Sequence, residues 1–253
     1  MNGVATYTRF ELKRTFRNRR SFIFSLIFPV IMYFLIAAPN RHNKAFGESN
    51  GQLFPISAPQ YYMVGLLSFG VMVAGLSTGA RIAAERQVGW VRQLRLTPLS
   101  PRAYFRAKVA TGYLMICIAT ALLYVSGTIL GVRLPATEWV HMTYLVLIAA
   151  IPFAALGIGL GHLLTVDSMG PALGGGASLF AFLGGTWFPL TGHGAFIEFC
   201  QLLPSYWLVQ AGHVGLGVHG DPWGAKGWIV VAAWSAAMIG LARLLYQRDT
   251  KRV

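Results

Sequence analysis

Charged residues along this chain are spaced so that long apolar stretches separate short charged segments. A transmembrane helix needs about 20 apolar residues in a row, because a charge in hydrocarbon costs roughly 2.5 kcal/mol or more. The pattern predicts six membrane-spanning helices, with apolar cores at residues 22–38, 61–80, 109–130, 140–165, 171–190 and 227–246. The predicted fold class is therefore all-α, a polytopic membrane protein that forms one transmembrane domain over residues 1–253.

The segments between these cores differ in character. Residues 1–20 carry six basic side chains and predict an interfacial basic helix before the first span. Residues 85–105 form a basic loop between the second and third spans. Residues 191–225 contain too many prolines and glycines for a simple span, so we expect an extracellular segment between the fifth and sixth spans.

The composition agrees with a membrane location. The chain is 55% hydrophobic and only 11% charged, whereas ordinary globular domains are about 25% charged. Disordered chains have few apolar residues, so that class is excluded as well. The two cysteines, Cys117 and Cys200, are far apart in apolar surroundings and predict neither a disulfide framework nor a metal site.

The distribution of basic residues predicts the orientation. With six spans and an internal N-terminus, 17 of the 21 Lys and Arg residues lie in cytoplasmic segments, which satisfies the positive-inside rule. A seventh span at 199–220 would weaken this asymmetry. We therefore expect a multi-pass protein of the cytoplasmic (inner) membrane with both termini in the cytoplasm. The net charge of +13 is explained by anionic membrane lipids, since no nucleic-acid-binding motif accompanies the basic clusters.

The predicted spans contain few side chains that could catalyse a reaction or couple transport to ions. Five of the six cores contain no Asp, Glu, Lys or Arg, and the sixth contains only Arg243 near its end, which disfavours ion-coupled transport. His141 and His162 lie near the ends of the fourth span and are read as hydrogen-bonded interface residues, and Asp167 with His162 is the one near pair. We predict no catalytic residues, no metal ligands and no cofactor bound by this chain. It contains no Gly-Lys-Ser/Thr phosphate-binding loop either, so nucleotide energy has to come from another polypeptide.

The basic loop predicts a short amphipathic helix. Trp90, Val91 and Leu94 share one helical face, and Arg92, Gln93 and Arg95 take the other. Thr97 precedes Pro98, which disfavours further helix. Such a helix is typical of an interfacial anchor or of a docking element for a partner.

At these residues the chain resembles the permease subunits of ABC-2 type transporters. The likeness extends over nearly the whole chain. The residues that carry it are Glu85, Gly89, Thr97-Pro98-Leu99-Ser100 and Lys108, followed by Gly184-Gly185-Thr186-Trp187-Phe188-Pro189 and Leu203-Pro204-Ser205-Tyr206-Trp207. Arg86 and Trp90 depart from the family pattern, which often has an acidic and a small residue there.

The resemblance implies that the loop is a coupling helix that docks on an ATPase subunit, with contacts from residues 86–96. The implied coupling residues are Glu85, Arg86, Gly89, Trp90, Val91, Leu94, Thr97 and Pro98. It also implies re-entrant helices within 191–225 that close the exit, with gate residues Trp187, Phe188, Pro189, Pro204 and Trp207. Two cytoplasmic ATPases, which hold ATP and Mg, and a second identical or different permease are the implied partners, besides membrane lipids.

The implied function is the outward movement of a hydrophobic or amphiphilic substrate, such as a drug, a lipid or a lipid-like metabolite. Uncharged, weakly polar spans favour such cargo, although a polysaccharide or glycolipid permease of the same family stays an alternative. A membrane scaffold or a channel is the competing class. A channel would usually show a charged ring or a filter sequence, and the sequence contains neither. Four Gly-xxx-Gly pairs, at 75/79, 127/131, 157/161 and 170/174, predict close helix packing, within the chain rather than between two copies.

Overall fold

The computed structural model of the protein describes residues 3–17, 23–42, 44–49, 52–90, 93, 96, 100–188, 190, 194–216 and 223–251. Helices account for most of this part of the chain. In order they are α1 (Gly3–Arg17), a π-helical segment (Ile23–Ile27), α2 (Phe28–Ala37), α3 (Ala58–Gln87), α4 (Pro101–Ile129), α5 (Ala136–Ala149), α6 (Ile151–Leu163), α7 (Val166–Leu183), α8 (Ala195–Cys200), α9 (Pro204–Gly215) and α10 (Ala225–Lys251).

Local sequence explains where the longest helices begin and end. The Ser57 hydroxyl caps the first turn of α3, and the Gln60 side chain accepts the Ser57 amide in return at 2.9 Å. Gly89 follows the end of this helix with a φ of +68°, a conformation that glycine adopts without strain. Ser100 caps α4, whose first residue is Pro101. Both helix starts combine an N-cap serine with a nearby proline.

A β-hairpin departs from the all-α expectation. Strand β1 (Lys44–Ser49) pairs with β2 (Gln52–Ser57) in an antiparallel sheet, with Lys44 opposite Ser57 and Ser49 opposite Gln52. The sequence between the strands, Asn50-Gly51, is the pair most typical of two-residue hairpin loops, and this signal was available from the sequence. The lengths of the charge-free stretches, from which the spans are predicted, do not reveal this hairpin because it lies between two apolar cores.

Four helical segments among the described residues are long and apolar enough to cross a membrane: Ala58–Gln87, Ala103–Ile129, Ala136–Leu163 and Ala225–Asp249. They correspond to the predicted cores 61–80, 109–130, 140–165 and 227–246. The predicted core 22–38 corresponds to a shorter apolar helix, Ser25–Ala37. The predicted core 171–190 corresponds to α7, whose 18 residues end at Leu183, before the predicted boundary. The six-span count stays a prediction.

The third of these segments consists of α5 and α6 with a break at Ala150. Pro152 follows the break, and its ring nitrogen cannot donate to the preceding turn. Two backbone hydrogen bonds bridge the break. The Ala150 amide donates to the Val146 carbonyl at 2.9 Å, and the Ala154 amide donates to the Ala150 carbonyl at 3.0 Å. The helix therefore continues across the proline, and its total length still suits one span.

Helix α3 forms the centre of the bundle. Most of its side chains are buried, and it packs against α2, α4, α6, α7 and α9. Helix α10 is the opposite case, since most of its side chains are exposed and it packs mainly on α6. Exposed apolar residues such as Ile229 and Leu244 cover its outer face, as expected for a helix that meets lipid or a second subunit.

Two of the Gly-xxx-Gly pairs pack against each other within the chain. A β-carbon at Gly157 would stand 2.6 Å from the carbonyl oxygen of Gly75, and one at Gly161 would stand 2.7 Å from that of Gly79. Glycine at these positions allows the α3 and α6 backbones to touch, which is how helices associate in hydrocarbon without a hydrophobic driving force. Gly170 and Gly174 instead face open space.

The 30 residues of α3 extend roughly 45 Å, so this helix connects two ends of the bundle. Its final turns meet α1, the start of α4, the end of α6 and the end of α10; we call this region the basic end. Its first turns meet α2, α9 and the segment after α7, where aromatic side chains gather; we call this region the aromatic end. The two ends differ in what stabilises them.

Candidate functional site

A buried lysine joins three helices at the basic end. Lys108, near the start of α4, is fully buried, and its ammonium group donates to the carboxylates of Glu11 in α1 and Glu85 in α3. Both carboxylates are themselves almost completely buried. Charges at such a position require close partners, because removing each from water costs several kcal/mol. The pairing therefore ties α1, α3 and α4 together at one point.

Glu85 has two further partners. The guanidinium of Arg14 donates to Glu85 Oε1 at 3.0 Å, and the Tyr104 hydroxyl donates to Oε2 at 3.1 Å. We call Glu11, Arg14, Glu85, Tyr104 and Lys108 the ion cluster. It contains two carboxylates and two cations, so the formal charges balance. This balance and the hydrogen bonds offset the desolvation of the group.

Tyr7 of α1 lies beside the ion cluster. Burial raises the pKa of the Tyr7 hydroxyl, and the nearby carboxylates of Glu11 and Glu85 raise this pKa further. Its ring lies 6.1 Å from that of Tyr104. The phenol therefore stays protonated and adds no third negative charge to the cluster.

A second ion pair holds the C-terminal helix at the same end. Arg86 Nε lies 2.8 Å from the Asp249 carboxylate of α10, and His162 Nδ1 of α6 lies 2.9 Å from the same carboxylate oxygen. Arg86 Nη1 also donates to the carbonyls of Gly161 and Leu164 at 3.1 and 3.2 Å, which would otherwise be unsatisfied at the end of α6. We call Arg86, His162 and Asp249 the clamp. It joins the last turns of α3, α6 and α10.

Trp90 lies directly beyond the helix end marked by Gly89. Its side chain is 36% exposed, and the Arg14 guanidinium lies 5.8 Å from the centre of its ring, within cation–π range. The Gln93 amide donates to the Gly89 carbonyl at 3.3 Å, a helical spacing that agrees with the predicted short helix. Arg14 thus contacts both Glu85 of the ion cluster and the exposed tryptophan.

A groove of about 670 Å³ lies between α1 and Trp90. Its walls carry aromatic side chains and cations. They are Tyr7, Phe10 and Trp90, and Lys13, Arg14 and Arg17. Positions 10, 13, 14 and 17 are three or four residues apart in α1 and so lie on neighbouring parts of its surface.

The aromatic end is stabilised by indole hydrogen bonds instead of ion pairs. Trp207 of α9 is buried, and its Nε1 donates to the Gln201 carbonyl at 2.8 Å. Trp223 donates to the carbonyl of Trp207 at 3.1 Å, and Trp234 of α10 donates to that of Leu202 at 2.7 Å. These bonds satisfy the backbone around the α8–α9 connection, where helical bonding stops.

Close backbone approaches complete this end. A β-carbon at Gly184 would stand 2.8 Å from the Ser205 carbonyl oxygen, and one at Gly227 would stand 2.6 Å from the Trp207 ring. Gly65 of α3 faces the Thr186 carbonyl at a distance too short for any side chain. The turn after α7 is therefore packed directly on α3 and α9.

Comparison with known proteins agrees with this architecture. The pattern of the ABC-2 type transporter family matches residues 3–216. A relative in Bacillus subtilis (strain 168), "Putative transport permease YvfS", is 27% identical over 212 residues, which covers 81% of this chain and 82% of the relative. The family match includes both ends of the bundle. This chain belongs to the ABC-2 type transporter family.

The residues that the resemblance assigned to the coupling loop of this ABC-2 protein divide into two groups. Glu85 and Arg86 have their side chains in the ion cluster and the clamp, so they face other helices of the same chain. Gly89 ends α3, and Trp90 is exposed beyond it. Val91, Leu94, Thr97 and Pro98 lie outside the described residues. The roles of all of them in coupling stay predictions.

The predicted gate residues also lie in different settings. Trp187 is partly buried, with its ring centre 5.6 Å from that of Phe69 in α3, while Phe188 is 63% exposed. Pro204 is the first residue of α9, and Trp207 is buried one turn later. Pro189 lies outside the described residues. The structure brings Trp207 and Trp187 to the same end of the bundle, and their role as a gate stays a prediction.

Two acidic residues that form ion pairs at the basic end were not predicted from the sequence. Glu11 was not singled out, although it is the one acidic residue among the first 47, and an isolated carboxylate within a basic helix signals a specific cation partner. Asp249 was missed as well: Asp167 is the carboxylate near His162 in sequence, whereas the structure pairs His162 with Asp249, 87 positions away. His141, the other predicted interface histidine, stacks on Tyr144 with ring centres 5.2 Å apart.

Proposed function

We propose that this chain is the membrane subunit of an ATP-driven exporter whose ATPase is a separate polypeptide. Membership of the ABC-2 family supports a transport role. The absence of a phosphate-binding loop from the full sequence means that ATP hydrolysis has to occur elsewhere. The working unit would be two permeases, identical or different, and two cytoplasmic ATPases that hold ATP and Mg.

The proposed topology has six spans and both termini in the cytoplasm. Helices α2 and α7 would be the first and fifth spans, in addition to the four long candidates. The basic end would then face the cytoplasm, in agreement with 17 of 21 Lys and Arg residues falling in cytoplasmic segments. The aromatic end would face outward, with α8 and α9 as re-entrant helices that close the exit.

The proposed coupling element is the segment from Arg86 to Leu96. The single observation that carries this assignment is the exposed position of Trp90 at the basic end, directly after α3 and in contact with Arg14. A partner that moves Trp90 would act on Arg14, and through Arg14 on Glu85 and Lys108. The contacts form a continuous connection from the loop to three helices.

In the proposed cycle, ATP binding closes the two ATPases and draws the coupling segments together. Each ion cluster keeps α1, α3 and α4 connected as they move, since separating them would expose buried charges. The paired permeases then rock between two packings, and the outer gate opens. The cargo would be a hydrophobic or amphiphilic molecule, such as a drug, lipid or lipid-like metabolite. A polysaccharide or glycolipid is the alternative cargo, and transport assays distinguish the two.

The test pairs this chain with a cytoplasmic ATPase encoded beside its gene. We expect the two to co-purify, ATP hydrolysis to rise on assembly, and Trp90→Ala to reduce that stimulation roughly tenfold without loss of folded permease. Trp228→Ala, a similarly exposed tryptophan at the aromatic end, is the matched control. Full stimulation by the Trp90 variant would remove the coupling assignment, and the absence of any ATPase partner would favour a scaffold or channel.

A further inference from the structure

The groove between α1 and Trp90 has more positive charge than the described residues around it neutralise. Lys13, Arg14 and Arg17 contribute three cations to its walls. Arg14 is paired with Glu85, whereas neither Lys13 nor Arg17 forms an ion pair with any described residue. The one carboxylate in the wall, Glu11, is already bound by Lys108. The two remaining cations, one helical turn apart, repel each other unless an anion lies between them.

The same groove offers apolar surface to its occupant. Phe10 is 65% exposed and Trp90 is 36% exposed, and both line the cavity. An exposed aromatic ring beside cations is the arrangement found at membrane interfaces, where the ring meets acyl chains and the cation meets phosphate. A purely polar anion would gain nothing from Phe10. The complementary ligand is therefore an amphiphile with an anionic head.

The position of α1 brings this groove to the membrane surface. The helix ends at Arg17, a few residues before the apolar segment that starts at Ile23. Phe16 is also exposed on α1, so the helix carries apolar and basic side chains together, as an interfacial helix does. Lipid headgroups are thus the most concentrated anions within reach.

We propose that the groove binds an anionic phospholipid, such as phosphatidylglycerol, from the leaflet next to the basic end. The phosphate would lie between Lys13 and Arg17, and the upper acyl chains would contact Phe10 and Trp90. A zwitterionic lipid is disfavoured because its ammonium group would meet three cations. Because Arg14 contacts both Trp90 and Glu85, an occupied groove holds Trp90 against the ion cluster.

The consequence for coupling rests on the proposed function, whereas the binding site does not. When the groove is occupied, Trp90 is positioned for the ATPase, so stimulation of ATP hydrolysis depends on anionic lipid. When it is empty, Trp90 keeps its contact with Arg14 but loses the contacts that the lipid provides.

The binding test uses the purified full chain in detergent, without any ATPase. Equal amounts of phosphatidylglycerol and phosphatidylcholine with matched acyl chains are added, and retained lipids are counted by native mass spectrometry. We expect preferential retention of one phosphatidylglycerol per chain. The double variant Lys13→Gln and Arg17→Gln should weaken that binding roughly 10- to 30-fold, since each cation near a lipid surface contributes about a three- to fivefold factor.

The matched control removes the same charge elsewhere. Arg9→Gln with Arg248→Gln neutralises two exposed arginines that do not line the groove, and binding should stay within twofold of the wild type. Equal retention of both lipids by the wild type, or equal loss in the control and groove variants, would overturn the proposal. So would a groove variant that keeps its phosphatidylglycerol but no longer co-purifies with the ATPase, since an acidic partner segment would then be the occupant.

A second measurement separates this proposal from the proposed function. In nanodiscs that contain the permease and its ATPase, replacing phosphatidylglycerol by phosphatidylcholine should lower stimulated ATP hydrolysis severalfold for the wild type and little for the groove variant. Selective lipid binding without any ATPase partner would leave the lipid site intact and refute the proposed function. If stimulated ATP hydrolysis by the wild type does not depend on lipid charge, the proposed effect of the lipid on coupling is refuted.

Discussion

The two ends of this bundle use different interactions to solve the same problem. At the basic end, α1, α3 and α4 meet through Lys108, Glu11 and Glu85, all buried. At the aromatic end, indole groups such as Trp207 bond to backbone carbonyls, and glycines allow direct backbone contact. Ion pairs act over longer distances than van der Waals contacts and tolerate small rearrangements. Helices packed at glycines lose a quarter to a half of their van der Waals attraction when they separate by about 0.5–1 Å. The comparison predicts a deformable connection at the basic end and a rigid one at the aromatic end.

Removal of the central lysine should have the largest effect. Lys108→Met leaves two buried carboxylates without their common cation, and breaking a buried pair this way costs about 3–5 kcal/mol. The measurement is the unfolding midpoint of the purified protein in detergent. Arg106→Met, an exposed cation on the same helix, is the control and should change little.

A triple variant tests whether the loss in Lys108→Met comes from unpaired charge or from packing. The triple variant, with Glu11→Gln and Glu85→Gln added to Lys108→Met, should recover much of the lost stability because the two buried carboxylates that lost their common cation are then neutral. If the triple variant is no more stable than Lys108→Met, packing rather than charge holds the basic end.

The α3–α6 contact between the two ends should be the next most sensitive. Gly157→Ala places a methyl group 2.6 Å from the Gly75 carbonyl oxygen, where only backbone can yield, so we expect a loss of about 1–3 kcal/mol. Gly174→Ala, in open space on α7, should be neutral or stabilising by up to about 1 kcal/mol. Equal effects of the two substitutions would show that α3 and α6 do not rely on this close approach.

At the aromatic end, Trp207→Phe tests the contribution of an indole hydrogen bond. The variant keeps an aromatic ring but removes the indole hydrogen bond to the Gln201 carbonyl, for an expected loss of about 1–2 kcal/mol. Trp228→Phe, on the exposed surface of α10, serves as the control. A loss as large as that of Lys108→Met would remove the contrast between the two ends.

The clamp should show the smallest effect and the clearest dependence on salt. Arg86 and Asp249 are only partly buried, at 28% and 16% exposure, so Asp249→Asn should cost about 1 kcal/mol or less. That loss should shrink as NaCl is raised from 0.05 to about 0.5 M, because salt screens exposed pairs. The Lys108→Met loss should not change with salt, since its charges are buried.

The pattern of apolar stretches predicted most of the helices and their order. The cores 61–80, 109–130, 140–165 and 227–246 each correspond to a long helix, because length and hydropathy are local properties. The site was predicted less well. Glu85, Gly89 and Lys108 were named from a resemblance, but that Glu85 and Lys108 would pair, with Glu11 as a third member, could not be read from spacing.

The amino-acid sequence alone determined that this chain lies in a membrane. Only 11% of its residues are charged, and its long charge-free apolar stretches favour hydrocarbon over water. It also shows that the chain contains no Gly-Lys-Ser/Thr phosphate-binding loop. The tertiary structure alone decided which charges would be buried together: Glu11 and Lys108 are separated by 97 positions, and His162 and Asp249 by 87. The physical reason is that helix packing, which brings distant residues into contact, depends on how whole surfaces fit and not on any local pattern.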